Sequence, residues 1–179
     1  SSDDSVKMMK NHFQDYKIIK NKRNEGYTKA LNQGLIKARG EYLVILNPDT
    51  ILQKYSITKL IKSFKRNDKI GIVGPKVINS DGSFQKSCRR GLAPKAVFSY
   101  FLGLSELFPN NKLFTGYQLN HLDENEENEV YGVSGSCMVI KKEVINDIGQ
   151  FDERYFAYQE DSDFCLTAIN AGWKVSVSY

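Results

Sequence analysis

Three groups of residues have types and spacing that could do chemistry. Leu46-Asn47-Pro48-Asp49-Thr50 sets a carboxylate directly after an apolar run. If that run is a strand, Asp49 stands at the carboxyl edge of a sheet, where open α/β folds bind ligands. One carboxylate there suits Mg²⁺ or Mn²⁺, which take oxygen ligands and leave positions for phosphate. A turn explains the same residues, because Asn, Pro and Asp are turn formers and Asp caps helices. The stretch from Gly149 to Asp163 carries five carboxylates, Asp152, Glu153, Glu160, Asp161 and Asp163, among Phe151, Tyr155, Phe156 and Tyr158. Crowded, partly buried carboxylates titrate high, as a general base requires, whereas a helix N-terminus favours the anion. An ordinary helix start accounts for Asp161 and Asp163 equally well. Finally, Lys86, Arg89 and Arg90 follow an Asp81-Gly82 turn. They could grip a diphosphate bidentately or form a solvated basic loop.

Two weaker signals stand beside these. In Asn24-Glu25-Gly26, followed by Asn32 and Gly34, a glycine at a loop-to-helix junction could let a ligand approach backbone N–H groups. Pro94 to Phe108 is apolar nearly all round and follows Arg89 and Arg90, which fits either an interfacial helix or a core helix. His12 and His121 are isolated, so a histidine-based triad or metal cluster has no support.

The elements that must position these residues alternate as in an α/β layer fold. Helical patterns cover Ser1 to Phe13, Tyr27 to Ala38, Tyr55 to Phe64, Glu143 to Ile148 and Asp161 to Ala171, with another from Pro94 within Leu92 to Phe108. Strand patterns cover Tyr16 to Lys20, Glu41 to Leu46, Ile70 to Ile78 with a bend at Gly74-Pro75, and Trp173 to Tyr179. Val130 to Lys142 holds one or two more. Glu41 to Leu46 is nearly continuous in apolar residues, as expected of a strand covered on both faces. Ser80-Asp81-Gly82 reads as a tight turn into Ser83 to Ser87, and Asp123 to Glu129 as a solvated acidic loop. The chain opens at a helix start and stops in a strand, the pattern expected of a fragment.

The 179 residues are 41% hydrophobic and 26% charged, a globular profile suited to one domain. Cys88, Cys137 and Cys165 are too few and scattered for a disulfide framework or zinc site, and read as free thiols in a reducing compartment. No apolar run reaches the length of a membrane span, and no signal peptide opens the chain, which disfavours secretion. The net charge of +4 allows attraction to phosphate or anionic lipid without demanding nucleic acid.

Taken together, the segments resemble the family-two glycosyltransferases of the GT-A fold, especially the bacterial rhamnosyltransferase-like branch. The residues that carry the resemblance begin with Ser1-Ser2-Asp3-Asp4-Ser5, Asn24-Glu25-Gly26, Asn32-Gln33-Gly34 and Gly40-Glu41-Tyr42 leading to Leu46-Asn47-Pro48-Asp49-Thr50. They continue with Gly74-Pro75-Lys76, Asp81-Gly82, Cys88-Arg89-Arg90, Val133-Ser134-Gly135-Ser136, Gly149-Gln150-Phe151-Asp152-Glu153 and Tyr158-Gln159-Glu160-Asp161-Ser162-Asp163.

The resemblance implies an α/β fold with a mixed, mostly parallel sheet between helices. It implies a single glycosyltransferase domain over residues 1–179 that lacks its first strand and its C-terminal end. Asp49 would close a DxD-type motif, written here Asn47-Pro48-Asp49, and hold Mg²⁺ or Mn²⁺ on the donor diphosphate. Asp161 would be the base that deprotonates the acceptor hydroxyl for an inverting attack. Glu160 and Asp163 would orient that base or contact the acceptor, and Asn24, Gly26 and Asn32 would lie near the nucleotide. Asn47, Arg89, Arg90 and Gly135 complete the expected substrate-binding set.

The implied partners are a nucleoside-diphosphate sugar, dTDP-rhamnose before UDP-sugars, and a polysaccharide or lipid-linked glycan acceptor. The expectations extend to peripheral membrane contact at the cytoplasmic face and to a homo-oligomer, with no nucleic acid. Thr167 stands where the family commonly has a basic residue, and Asn47 replaces an aspartate. Two other readings are a nucleotidyltransferase, for which the glycine- and lysine-rich phosphate loop is missing, and a non-catalytic sugar- or nucleotide-binding module of the same fold.

Overall fold

Alternation along the strands sorts their side chains onto the two faces of one sheet. A computed structural model of the chain describes residues 3–79, 81–85 and 128–178. Its helices are α1 (Ser5–His12), α2 (Tyr27–Lys37), α3 (Ser56–Ser63), α4 (Lys142–Ile148) and α5 (Glu160–Asn170). Its strands are β1 (Tyr42–Leu46), β2 (Ile70–Pro75), β3 (Val77–Ile78), β4 (Phe84–Gln85), β5 (Asn128–Val130), β6 (Cys137–Lys141) and β7 (Lys174–Ser178).

In β6, Met138 and Ile140 point into one core with Leu35 of α2, Val144 of α4, and Phe164 and Ala168 of α5. Cys137 and Val139 point the other way, into a second core with Leu60 of α3, Phe64 and Val73. Period-two alternation thus produces three layers, α2, α4 and α5 on one face and α3 on the other. Each fully buried aliphatic side chain contributes about 1.5–3 kcal/mol of transfer free energy. β1 departs from the expectation of cover on both faces. Leu43 and Ile45 are buried, but Val44 and Leu46 remain 42% and 41% exposed, because β1 is an edge of the described sheet.

The five-stranded sheet runs β1-β6-β2-β7-β5 and is mixed, as expected. β1, β2 and β7 run in one direction, with β6 and β5 against them. Its parallel character therefore lies in strand direction rather than in pairing: among the described residues only β2 and β7 are parallel neighbours. β6 separates β1 from β2 because it starts where β1 ends, with Leu46 opposite Cys137.

Three local expectations change. Tyr16 to Lys20 forms no strand among the described residues; strand propensity without a ladder partner leaves irregular backbone. The run expected over Ile70 to Ile78 divides into β2 and β3 at Pro75-Lys76. β3 then pairs with β4 around the Asp81-Gly82 turn. Asn128 and Glu129, read as loop, belong to β5 and pair with β7, where Glu129 also accepts from Lys174 at 2.7 Å. Leu92 to Phe108 and most of the acidic run lie outside the described residues. Among the described residues no helix is long and apolar enough to cross a membrane. Cys137 and Cys165 are buried and unpaired, and burial pushes the Cys165 thiol up to about 12.

Candidate active site

The carboxyl end of β1 is tied to the start of β6. The Asn47 N–H donates to the Ser136 carbonyl at 2.9 Å, and the Thr50 hydroxyl donates to the same oxygen at 3.2 Å. The Thr50 N–H closes the turn onto the Asn47 carbonyl at 3.2 Å. This leaves the Asp49 carboxylate exposed, with no hydrogen bond or ion pair among the described residues. It is a free, hard oxygen donor at a sheet edge. Among the described residues no group of three or more His, Cys, Asp or Glu is arranged to hold a metal ion by itself. That donor set fits Mg²⁺ or Mn²⁺ held by one carboxylate and completed by phosphate oxygens, the usual habit of Mg²⁺ at nucleotide sites.

Asp161 lies in the first turn of α5 and is gripped from two sides. The Gly135 N–H donates to its Oδ2 at 2.9 Å, and the Ser162 N–H donates to its Oδ1 at 2.7 Å. Each oxygen keeps lone-pair capacity, and the group is only partly buried. The backbone leading into it is unusual. Tyr158 and Gln159 both adopt left-handed φ, 70° and 69°, at a cost of order 1–3 kcal/mol each. The consecutive pair turns the chain sharply into α5 and leaves the Tyr158 side chain in solvent.

The five carboxylates of this stretch separate by environment. Asp152 accepts from Arg154 Nε at 2.7 Å, and that contact holds its carboxyl below the usual range. Glu153 accepts from Asn32 at 3.2 Å, and Asp163 from the Tyr155 hydroxyl at 3.5 Å. Glu160 is buried, and its Oε2 has no hydrogen-bond partner among the described residues. Burial, helped by the neighbouring Asp161 charge, raises the Glu160 carboxyl above its ordinary 4.5.

The folded state therefore holds the Glu160 proton more tightly than the unfolded chain does. Relative stability is fully present below the unfolded value and is lost as pH rises through the folded one. Glu160→Gln, which cannot ionise, should denature like the wild type at pH 4 and resist urea better at pH 7. A wild-type advantage at pH 7 would contradict the burial argument.

A family model described as Glycosyl transferase family 2 matches residues 1–149. The chain belongs to glycosyl transferase family 2. It is 28% identical over 185 residues to the N-acetylglucosaminyl-diphospho-decaprenol L-rhamnosyltransferase of Mycobacterium tuberculosis, covering 97% of this chain and 59% of that protein. It is 26% identical over 166 residues to the low-salt glycan biosynthesis hexosyltransferase Agl10 of Haloferax volcanii, covering 88% of this chain and 49% of that one. The chain thus spans about half to three-fifths of these relatives' lengths. Among solved structures it resembles GalNAc-T7, crystallised with UDP, GalNAc and Mn²⁺, at a TM-score of 0.64 and 17% identity, over 99% of this chain and 34% of that one. That likeness supports the GT-A fold.

Within this family-two domain, the expected site residues divide. Asn47, Gly135, Glu160 and Asp161 gather around the Tyr27 hydroxyl, with Asp49 two residues beyond Asn47 and Asp163 in the same first turn of α5. Asn32 does not fit the expected nucleotide contact. It is buried, its Nδ2 donates to the Phe151 carbonyl at 2.8 Å, and its Oδ1 accepts from the Phe151 N–H at 3.1 Å. Both ends of the amide are committed to bracing the loop before α5. Gly26 is likewise a packing position. Its φ is +89°, and a Cβ there would sit 2.8 Å from the Phe156 carbonyl oxygen and ring. Asn24 is exposed, and its Oδ1 accepts from the Gly26 N–H at 3.0 Å to shape this turn. Arg89 and Arg90 lie outside the described residues.

Sequence reading missed Tyr27, whose hydroxyl donates to Asn47 Oδ1 at 3.2 Å and to the Gly135 carbonyl at 3.4 Å. Those partners stand 20 and 108 residues away in sequence, so no local pattern could have found it.

Proposed function

We propose that this domain transfers a sugar, with inversion, from a nucleoside-diphosphate sugar to a hydroxyl of a polysaccharide or lipid-linked glycan. The observation that carries the reading is a family-two domain in which the turn bearing the free Asp49 carboxylate is tied, through the Tyr27 hydroxyl, to Gly135, whose N–H holds Asp161. dTDP-rhamnose is the favoured donor and a UDP-sugar the alternative. The Mycobacterium relative's name, which joins a rhamnosyl donor to a lipid-linked acceptor, supports that order. The reaction is assigned to the cytoplasmic face of the cell membrane.

In this reading the Asp161 carboxylate accepts the proton of the acceptor hydroxyl. The hydroxyl oxygen attacks the anomeric carbon from the side opposite the leaving group. The bond from that carbon to the diphosphate oxygen breaks, and its electron pair leaves with the nucleoside diphosphate. The N–H groups of Gly135 and Ser162 hold both carboxylate oxygens in place, so Asp161 needs little reorganisation to receive the proton. Asp49 would hold the Mg²⁺ or Mn²⁺. That cation, when bound, offsets the charge gathering on the departing diphosphate. Glu160 and Asp163 flank the base on the same helix turn.

Calorimetric titration of dTDP, UDP and GDP, with and without Mn²⁺, tests the donor site. One nucleotide should bind in a metal-dependent manner, and Asp49→Ala should weaken that binding by roughly a hundredfold or more. Nucleotide affinity unchanged in Asp49→Ala would remove the metal from Asp49. No binding of any nucleotide in either condition would count against the donor site itself.

A further inference from the structure

We propose that Tyr27 is a positioning residue whose hydroxyl locks the Asp49-bearing loop to the loop that orients Asp161. The inference rests on the reading of those two carboxylates given above. Tyr27 is the first residue of α2, anchored where its N–H donates to the Phe156 carbonyl at 2.8 Å. Its ring is half-buried, and packing of a ring at this place needs no hydroxyl. The hydroxyl nevertheless reaches Asn47 Oδ1 on one side and the Gly135 carbonyl on the other.

Each partner leads to one functional carboxylate. Asn47 begins the Asn47–Thr50 turn that presents Asp49. Gly135 also donates its N–H to Asp161 Oδ2 at 2.9 Å. A single O–H, shared between the two acceptors, therefore spans α2, the end of β1 and the start of β6. Glu160 and Asp161 face this hydroxyl, and burial together with their charges raises it above the ordinary tyrosine value of 10. It remains a donor throughout the neutral range.

Tyr27→Phe removes this link and keeps the ring. Hydrogen bonds of this kind contribute about 0.5–1.5 kcal/mol, or roughly three- to tenfold in an equilibrium or rate. The full chain should show kcat lowered by roughly three- to tenfold and the Mn²⁺ activation midpoint raised by a similar factor, with acceptor KM unchanged. Independently of activity, amide exchange at Asn47 and Gly135 should speed up, while Val139 in β6 stays as in the wild type. Wild-type exchange at both loops would overturn the proposal. So would faster exchange across the whole sheet, which marks a merely structural residue, or a rise confined to acceptor KM, which marks an acceptor contact. If wild-type protein transfers no sugar, the functional reading falls, and exchange at Asn47 and Gly135 alone decides whether the hydroxyl links the loops.

Discussion

Asp161→Asn is expected to lower sugar transfer by roughly two to four orders of magnitude, the usual contribution of a positioned general base. Asparagine has nearly the same size and shape. It cannot accept the acceptor proton, and it offers only one oxygen to the two N–H groups that now grip the carboxylate. The donor should still bind, because the expected metal ligand, Asp49, sits on the separate turn after β1. The test compares single-turnover transfer with nucleotide affinity in the same preparation, alongside a melting curve. Lost turnover with affinity held within about twofold supports a base. Transfer within tenfold of the wild type would remove Asp161 from that role, and parallel loss of binding and melting temperature would make it a structural residue.

Asn32→Ala should be a strongly destabilising change outside the apolar core, costing roughly 2–6 kcal/mol. That figure follows from orphaning two buried backbone groups at about 1–3 kcal/mol each. The groups are the N–H and carbonyl of Phe151, both held by the one amide. Phe151 in turn stacks on Phe164 of α5, ring centroids 4.1 Å apart, so the clamp helps to seat the helix that carries Asp161. Urea denaturation at neutral pH measures the loss. A cost below about 1 kcal/mol would mean that water satisfies Phe151 and that the clamp is dispensable. Asn32→Asp should not rescue, since it loses the Nδ2 donor and sets a charge against the Phe151 carbonyl and the Glu153 carboxylate.

Much of this architecture was readable from short-range pattern. The apolar runs of β2, β6 and β7, the helical periodicity of α2 and α3, and the turns at Asn47-Pro48-Asp49 and Asp81-Gly82 depend on residues a few positions apart. Backbone sterics and hydrophobic periodicity act over that range. Placement of Asp49 just past a strand end needed no more than this. The ordered motifs from Ser1 to Asp163 were enough to carry a resemblance to the family that the family model shows.

Tertiary structure decided what each polar group does. Five carboxylates between Asp152 and Asp163 look alike in sequence. Folding pairs one with Arg154, buries Glu160, and hands Asp161 to Gly135, 26 residues upstream. Asn32 reads as a ligand contact until Phe151, 119 residues away, takes both ends of its amide. Strand neighbours are also a tertiary outcome, since β6 enters between β1 and β2 and leaves β1 at an edge of the described sheet with Val44 and Leu46 uncovered. Propensity and turn geometry are local energies written in neighbouring residues. The dielectric around a carboxylate and the partner of a hydrogen bond are set by whichever distant segment packs against it.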